Sequence, residues 1–586
     1  MSRLWKLANQ RLLAKALGEL DYEEVFCIRG DLSQGEQELR LKSGVVYRMQ
    51  AWRTVWGHLR IQPESITRSE KGEAFQSAED AAQLFLDAQS ETRMDDIVLA
   101  NFVEELFCTL NAEVELLSKN QGLTATDIAK MDDLKMQAHL YGHPKLIGNK
   151  GRLGWGADEV RRFAPESETP VRMHWLAIKK ERSLFSAAAG LHSEDLINES
   201  MDAQERERFF QRCTSYLACL DDYHFVPAHP WQLDRHLRSH YAQLFANGEL
   251  IDLGVFGDSY VPQISLRTFS NVSRPGRVDL KLCLNILNTS AFRGISPSTI
   301  EAAGTLSEEL AKICEEDPFL RDLNVRCLRE RAGASCLHPL YEKIKGAPYR
   351  YREMLGCIWR ESSLAVLSKN ERSLLTGALF HQDLEGRSVI GALIKASGLS
   401  VHEWVRLYSR HVILPLYHLQ LRYGIGLVSH GQNIVLVLRE NKPAGILVKD
   451  FQGDLRLAEE IASAKLKERF ANLTRLPAAH LLHDLMTGHF ITVLRFVSGA
   501  LEEDLAYPES KFYGIVAEEI ATYLVNHSSQ VPESLSLLRP EIERVTLHPV
   551  RFEIGYADNA RRPKPALGTN LKNPLAAALQ RGADYV

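Results

Sequence analysis

The chain has 586 residues, 45% of them apolar and 25% charged, and its 75 acidic and 70 basic side chains leave a formal net charge of −5. That composition matches soluble globular proteins and excludes fibrous, disordered and membrane-embedded classes. The mild acidity also excludes the basic footprint of a non-specific nucleic-acid binder, and the length allows about three or four domains.

Leu4, Ala8, Leu12, Leu13, Ala16, Leu17 and Leu20 recur at helical spacing and predict a helix over 4–20. Residues 23–63 are rich in β-branched and aromatic residues and read as short strands. Phe102 through Leu117 predict a second amphipathic helix. Residues 142–155 hold four glycines and a proline, together with His143, Lys145, Lys150 and Arg152. This is a loop able to offer cations and backbone N–H groups to an anion. Strands are expected at 261–269 and 280–289, residues 305–422 as mostly helical, and a hairpin within 424–457. The nine cysteines, Cys27 to Cys357, form no C-x-x-C pair and read as buried, reduced thiols. The N-terminus lacks a signal-peptide core, and no run of about 18 apolar residues occurs. A cytoplasmic protein without membrane contact is expected.

The hairpin carries the strongest chemical signal. Gly424 is placed to stop a helix, and His430-Gly431-Gln432-Asn433 precedes the strand 434–438. A turn at 439–443 leads back through 445–448 to Lys449-Asp450-Phe451-Gln452-Gly453. If pairing follows residue numbers that sum to 883, Asn433 faces Asp450. An amide oxygen and a carboxylate then meet beside His430 and Gln432, a hard-oxygen set suited to Mg²⁺. Singly, each of these residues reads more readily as a cap on a turn or on the next element; the convergence of all four on one hairpin end reverses that reading. Alternation in 264–269 puts Ser265 and Arg267 on one strand face. Alternation in 281–289 puts Lys281, Asn285 and Thr289 on another, with Ser290 and Arg293 following. Such a face is either a polyanion cradle or a solvated outer surface. His229-Pro230-Trp231-Gln232 reads as structural. No P-loop, dinucleotide fingerprint or nucleophile elbow is present.

Taken together, Gly142-His143-Pro144 through Arg152, His229–Gln232, Ser265-Leu266-Arg267-Thr268, Lys281 through Arg293, His430–Asn433 and Lys449–Gly453 resemble the NRPS-independent siderophore (NIS) synthetases, in the family order. The resemblance implies an α+β fold likened to a cupped hand around a deep central cleft. Its parts would be a thumb-like α+β domain at 1–140, a fingers domain with antiparallel sheet and helices at 141–385, and a mostly helical palm with the hairpin at 386–586. It implies adenylation of a citryl carboxylate by ATP with Mg²⁺, then attack by an amine. In one branch the acid is a citryl monoamide in place of citrate, and the amine is N6-acetyl-N6-hydroxylysine.

By resemblance, Ser265, Arg267 and Thr268 contact the triphosphate and Lys281 lies near the α-phosphate. Gln432 holds the nucleotide, and Asn433 and Asp450 coordinate magnesium. Thr289, Ser290 and Arg293 bind carboxylates, His143, Lys150 and Arg152 add to the substrate site, and His430 touches nucleotide and carboxylate. The catalytic set would be Arg293, His430 and Lys281. Leu146-Ile147 replaces a second His-Pro of many members, and Val428 replaces an acid. Both departures are in keeping with the monoamide branch. A homo-oligomer is implied. A kinase-like phosphotransferase and a silent siderophore- or citrate-binding protein are the competing readings.

Overall fold

A computed structural model describes residues 2–31, 35–289, 291–527, 531–556 and 565–583. The predicted N-terminal helix spans Ser2–Tyr22, and the second spans Asp96–Lys119, with the Asp95 carboxylate accepting from Val98 N–H as its cap. The first packs on an antiparallel sheet built from strands between Arg29 and Ser77, and the second packs on the first. Leu13, Leu17, Tyr47, Phe85 and Leu106 are fully buried between them. Phe552, from the far end of the sequence, closes this core edge-on against Phe85 and Phe102.

The middle of the chain forms an eight-stranded antiparallel sheet. Its order is Ser183–Ala187, Glu330–Cys336, Gly356–Arg360, Asp279–Leu282, Thr268–Asn271, Leu250–Pro262, Val171–Lys179 and Tyr223–Ala228. Two expectations are corrected here. Residues 264–267 are a turn rather than a strand: Leu266 is left-handed at φ 70°, and Gln263 N–H donates to Thr268 O at 2.7 Å across its mouth. The expected strand 280–289 breaks at Cys283, and Leu284–Asn288 pairs instead with Ala291–Arg293 in a separate ribbon. Residues 305–422 also hold more strand than expected, at Val325–Cys327, Glu330–Cys336, Gly356–Arg360 and Arg372–Leu375. These strands are short and buried on both faces, so they lack the polar alternation that marks a half-buried strand.

The remaining core surrounds a four-stranded sheet ordered Val325–Cys327, Lys442–Val448, Ile434–Arg439 and Arg372–Leu375. Helices carrying Trp404, Tyr408, Tyr417, Leu485 and Tyr513 pack around it. The hairpin is present, but its register differs from expectation. Glu440 and Asn441 both take positive φ, so the tight turn centres one residue earlier and Arg439 pairs with Lys442. A bulge after Val437 then sets Ile434 opposite Val448, and Lys449, not Asp450, faces Asn433. Of the nine cysteines, all free, six are buried, Cys108 is half-buried, and Cys27 and Cys219 are exposed. No helix among the described residues is long and apolar enough to cross a membrane.

Buried ion pairs lock distant segments together. Lys145 of the glycine loop is 1% exposed and lies 2.5 Å from Glu23 and 3.7 Å from Glu19, both on or next to the first helix. Glu19 also pairs with Arg495, and Glu23 with His548. Burial alone would raise the Glu23 carboxyl, but His548 and Lys145 outweigh it and hold it at about 2. Removing one partner leaves a charge stranded in the core. Glu19→Gln is therefore expected to destabilise the protein by about 3 kcal/mol or more, read as a lowered thermal midpoint. Because the Glu23 value is depressed, its contribution is complete above the ordinary 4.5 and fades as pH falls toward 2. Midpoints measured across that range should fall with pH, and less steeply in Glu23→Gln.

Candidate active site

The segments singled out in the sequence meet at one cleft. His143, Lys150, Arg152, Ser265, Arg267, Thr268, Lys281, Thr289, Arg293, His430, Gln432, Asn433 and Asp450 all line it. Ser290 lies outside the described residues. The sheet supplies Lys281 on a central strand, paired in register with Thr268. The turn at 264–267 presents Ser265, whose buried hydroxyl makes no hydrogen bond, and Arg267, which donates to Gly294 O. Arg293 bonds Asn288 O at 2.8 Å and the Thr289 hydroxyl.

The glycine loop is laced to the cleft from behind. Arg152 N–H donates to Asn288 Oδ1, and Leu153 bridges Leu287. Glu166 holds Arg152 at 2.7 Å and Lys150 at 3.6 Å, and Glu113 holds Lys150 at 3.1 Å. These two cations, read from sequence as ligands for an anion, are thus already matched by carboxylates. Ile147, the second residue of the Leu146-Ile147 pair that replaces a His-Pro, fills the N-terminal core at 1% exposure. His229 and Trp231 are buried, and Gln232 bridges Met354 O and Asn285 N–H, which bears out a structural role.

Close backbone approaches fix His430. Gly431 lies against Gly377, where a Cβ would come within 2.7 Å of the Gly377 Cα, and Gly377 N–H donates to Gly431 O. On the other side, a Cβ at Gly488 would come within 2.9 Å of Ser429 N. His489 then joins Ser429 O to the Tyr408 hydroxyl at 2.9 and 2.8 Å. Gln432 N–H donates to His430 Nδ1, so the proton of the neutral ring sits on Nε2. Burial lowers the His430 imidazole from its ordinary value and favours the neutral ring, against the opposing pull of Asp454 and Asp450. His143 has the same arrangement: Nδ1 accepts from Lys145 and Leu146 N–H, and burial, then Lys15 and His430, keep its ring neutral.

Charge alternates across the floor. Lys281 Nζ bonds Asp450 and stands 3.9 Å from Glu330. Arg360, 1% exposed, lies 3.6 Å from Asp450 and 3.0 Å from Asp279. Burial would raise the Asp450 carboxyl, but Lys281, Arg360 and Lys449 together hold it far below the usual carboxylate range. The Asn433 amide nitrogen donates to Val428 O and to Asp454 Oδ2 at 3.1 Å, which directs its oxygen elsewhere. Asp454, Glu330, Arg360 and Lys449 went unassigned in the sequence. Asp454 was the findable one, a second acid four residues after Asp450 on the same return loop.

Among the described residues no cluster of three His, Cys, Asp or Glu side chains is disposed to hold a metal. Two carboxylates, Asp450 and Asp454, with the Asn433 oxygen nevertheless fit Mg²⁺, which keeps waters and phosphate oxygens for its other positions. Leu266, Thr289, Arg152 and Asp450 all adopt positive φ and all line this cleft. Four non-glycine residues so strained in one place mark a functional surface. Fixed cations beside oxygen ligands and two neutral N–H donors suit a polyphosphate next to a carboxylate. Lys281→Met should weaken binding of inorganic pyrophosphate roughly tenfold or more, measured by calorimetry, with the fold unchanged by circular dichroism.

Residues 134–381 match the model of the IucA / IucC family, and residues 402–559 match that of the ferric iron reductase FhuF-like transporter. The chain is 37% identical to aerobactin synthase from Escherichia coli, over 97% of this chain and 98% of that protein. It is 34% identical to the rhizobactin siderophore biosynthesis protein RhbF of Rhizobium meliloti, over 98% and 96%. The solved aerobactin synthetase IucC of Klebsiella pneumoniae superposes with a TM-score of 0.87 at 34% identity, covering 99% of this chain and all of that one. Near full-length identity of this order, on a fold whose cleft gathers the motifs that the resemblance named apart from the structural His229–Gln232 stretch, places the chain in the NRPS-independent siderophore synthetases: it belongs to the IucA / IucC family and is a siderophore-assembling ligase of the aerobactin synthase type.

Proposed function

We propose that this ligase adenylates a citryl carboxylate with ATP and joins it to the amine of N6-acetyl-N6-hydroxylysine, releasing AMP and pyrophosphate and completing aerobactin or a close relative. The three largest hydrophobic cores would be the thumb, fingers and palm of a cupped hand, with residues 302–327 packing on the palm core. One observation carries the reading: Lys281, Arg267 and Arg293 share a single cleft with Asp450, Asn433 and His430.

A carboxylate and a triphosphate repel each other, and adenylation must bring them within bonding distance. Arg293 with Thr289 would hold the carboxylate. Ser265, Arg267 and Thr268 would hold the phosphates, and Lys281 would face the charge that builds on the α-phosphate. Neutral His430 would donate Nε2–H to an oxygen shared between the reacting groups, and Gln432 would steady the nucleotide. Asp450, Asp454 and Asn433 would hold Mg²⁺, which supplies charge neutralisation at the phosphates. The carboxylate oxygen attacks the α-phosphorus and pyrophosphate leaves. The amine nitrogen then attacks the acyl carbon and AMP leaves. No side-chain nucleophile is needed.

A phosphotransferase would need a catalytic acid where this chain has Gly431 and Gln432, and the family assignment favours the ligase. Product analysis after incubation with ATP, Mg²⁺, citrate or citryl monoamide, and hydroxylated amines is expected to give AMP and pyrophosphate; ADP would overturn the reading. Arg293→Ala and His430→Ala are each expected to abolish pyrophosphate release with the fold intact. Asp450→Asn should raise the Mg²⁺ concentration needed for half-maximal rate, and an unchanged metal titration would remove Asp450 from the ligand set.

A further inference from the structure

A second cavity, of about 320 Å³, shares Gly142, His143 and Asn149 with the cleft above. Its walls are largely apolar, with Leu12, Leu117, Leu140, Phe380 and Phe496 among them. One part of it is polar. Arg11 lies over the Tyr141 ring, 4.6 Å from its centroid, and the same ring stacks on His381 at 4.6 Å and 19°. Arg11 Nη1, Tyr141 Oη and both ring nitrogens of His381 are buried and make no hydrogen bond. His381 is only 4% exposed. A buried polar atom without a partner is costly, and the four here gather on residues that line one cavity, which marks a place built for a ligand.

The atoms say what chemistry that ligand carries. Arg11 needs an acceptor. Burial, then Arg11 and Lys150, hold His381 neutral, so its ring offers one N–H and one lone pair. A carboxylate brings no donor for that lone pair. An ammonium brings no acceptor for Arg11, and Glu113, the carboxylate on the wall, is already matched by Lys150 and Lys15. A neutral hydroxamate brings a carbonyl acceptor and an N–OH donor on adjacent atoms, and the apolar walls suit the methylene chain behind it.

We propose that this cavity binds the uncharged N-acyl-N-hydroxyamino end of a substrate arm, with Arg11 and Tyr141 donating to its carbonyl oxygen and His381 accepting from its N-hydroxyl. This rests on the proposed function for the substrate class, in which both the citryl monoamide and the incoming amine carry that group. The assignment makes Arg11, Tyr141 and His381 specificity-determining residues for the hydroxylated substrate over its deoxy analogue.

Calorimetry on the full chain tests it with two compound pairs: N6-acetyl-N6-hydroxylysine against N6-acetyllysine, and their citryl monoamides, with and without ATP and Mg²⁺. At least one hydroxylated member should bind roughly tenfold to a hundredfold tighter than its partner. His381→Phe, which keeps the stack on Tyr141, and Tyr141→Phe, which keeps the ring, should each shrink that ratio. If His381→Phe does not fold, Tyr141→Phe carries the same readout. Equal affinities within both pairs, no binding of any compound, or a ratio that survives both substitutions would overturn the assignment. The source of the group is read from kinetics: a raised KM for the monoamide in ATP–pyrophosphate exchange identifies the acyl arm, and a raised KM for the amine in amide formation identifies the incoming substrate. Selective binding without any AMP or pyrophosphate would sink the ligase mechanism and leave the pocket assignment standing.

Discussion

Asp450 is the point on which the site depends. A carboxylate buried in a low-dielectric cleft would take up a proton unless cations oppose it, and here Lys281, Arg360 and Lys449 all do. The consequence is mutual. Asp450 stays ionised, and Lys281 stays fixed on the cleft wall with Arg360 buried behind it. Arg360 is in turn tied to Asp279 on the neighbouring strand. The charges are therefore mounted on the rigid sheet rather than on a mobile surface, so little reorganisation is needed as charge develops during reaction.

The backbone shares in this arrangement. Leu266, Thr289, Arg152 and Asp450 each hold a left-handed conformation at the cleft wall, and such positions cost on the order of 1–3 kcal/mol apiece. The surrounding structure sustains them. Gln263 and Thr268 close the turn around Leu266, and the Leu153–Leu287 bridge fixes the loop that holds Arg152. His430 is held in a different way, in a turn pressed between Gly377 and Gly488, where side chains would collide. Strain, tight packing and the buried ion pairs around Lys145 all serve the same end: a polar cleft whose parts arrive from four stretches of chain in fixed relative positions.

The hydrophobic periodicity of the two N-terminal helices, the glycine loop, the Gly424 helix stop and the existence of the hairpin were legible because each is dictated by residues close in sequence. The hairpin register was not. It turned on whether Glu440 or Asn441 led the turn and on a bulge after Val437, and both choices depend on the strands packed on either side. The strands at 325–336, 356–360 and 372–375 were missed because burial on both faces removes the alternation by which a strand is recognised. Lys145, Lys150 and Arg152 looked like exposed cations, but Glu23, Glu113 and Glu166, distant in sequence, meet them in the fold.

By itself the sequence determined the chemical inventory: which cations, amides, histidines and carboxylates the protein has, in an order that resembles one ligase family. Residue type and local spacing fix that much, since charge, hydrogen-bonding capacity and turn preference belong to single residues and short segments. Only the tertiary structure decided which of those groups meet. Asp454 shares Asn433, Lys281 clasps Asp450, and Arg11, Tyr141 and His381 line one cavity although they lie up to hundreds of positions apart. Pairing across such separations is set by the packing of whole sheets and helices, which no local pattern encodes.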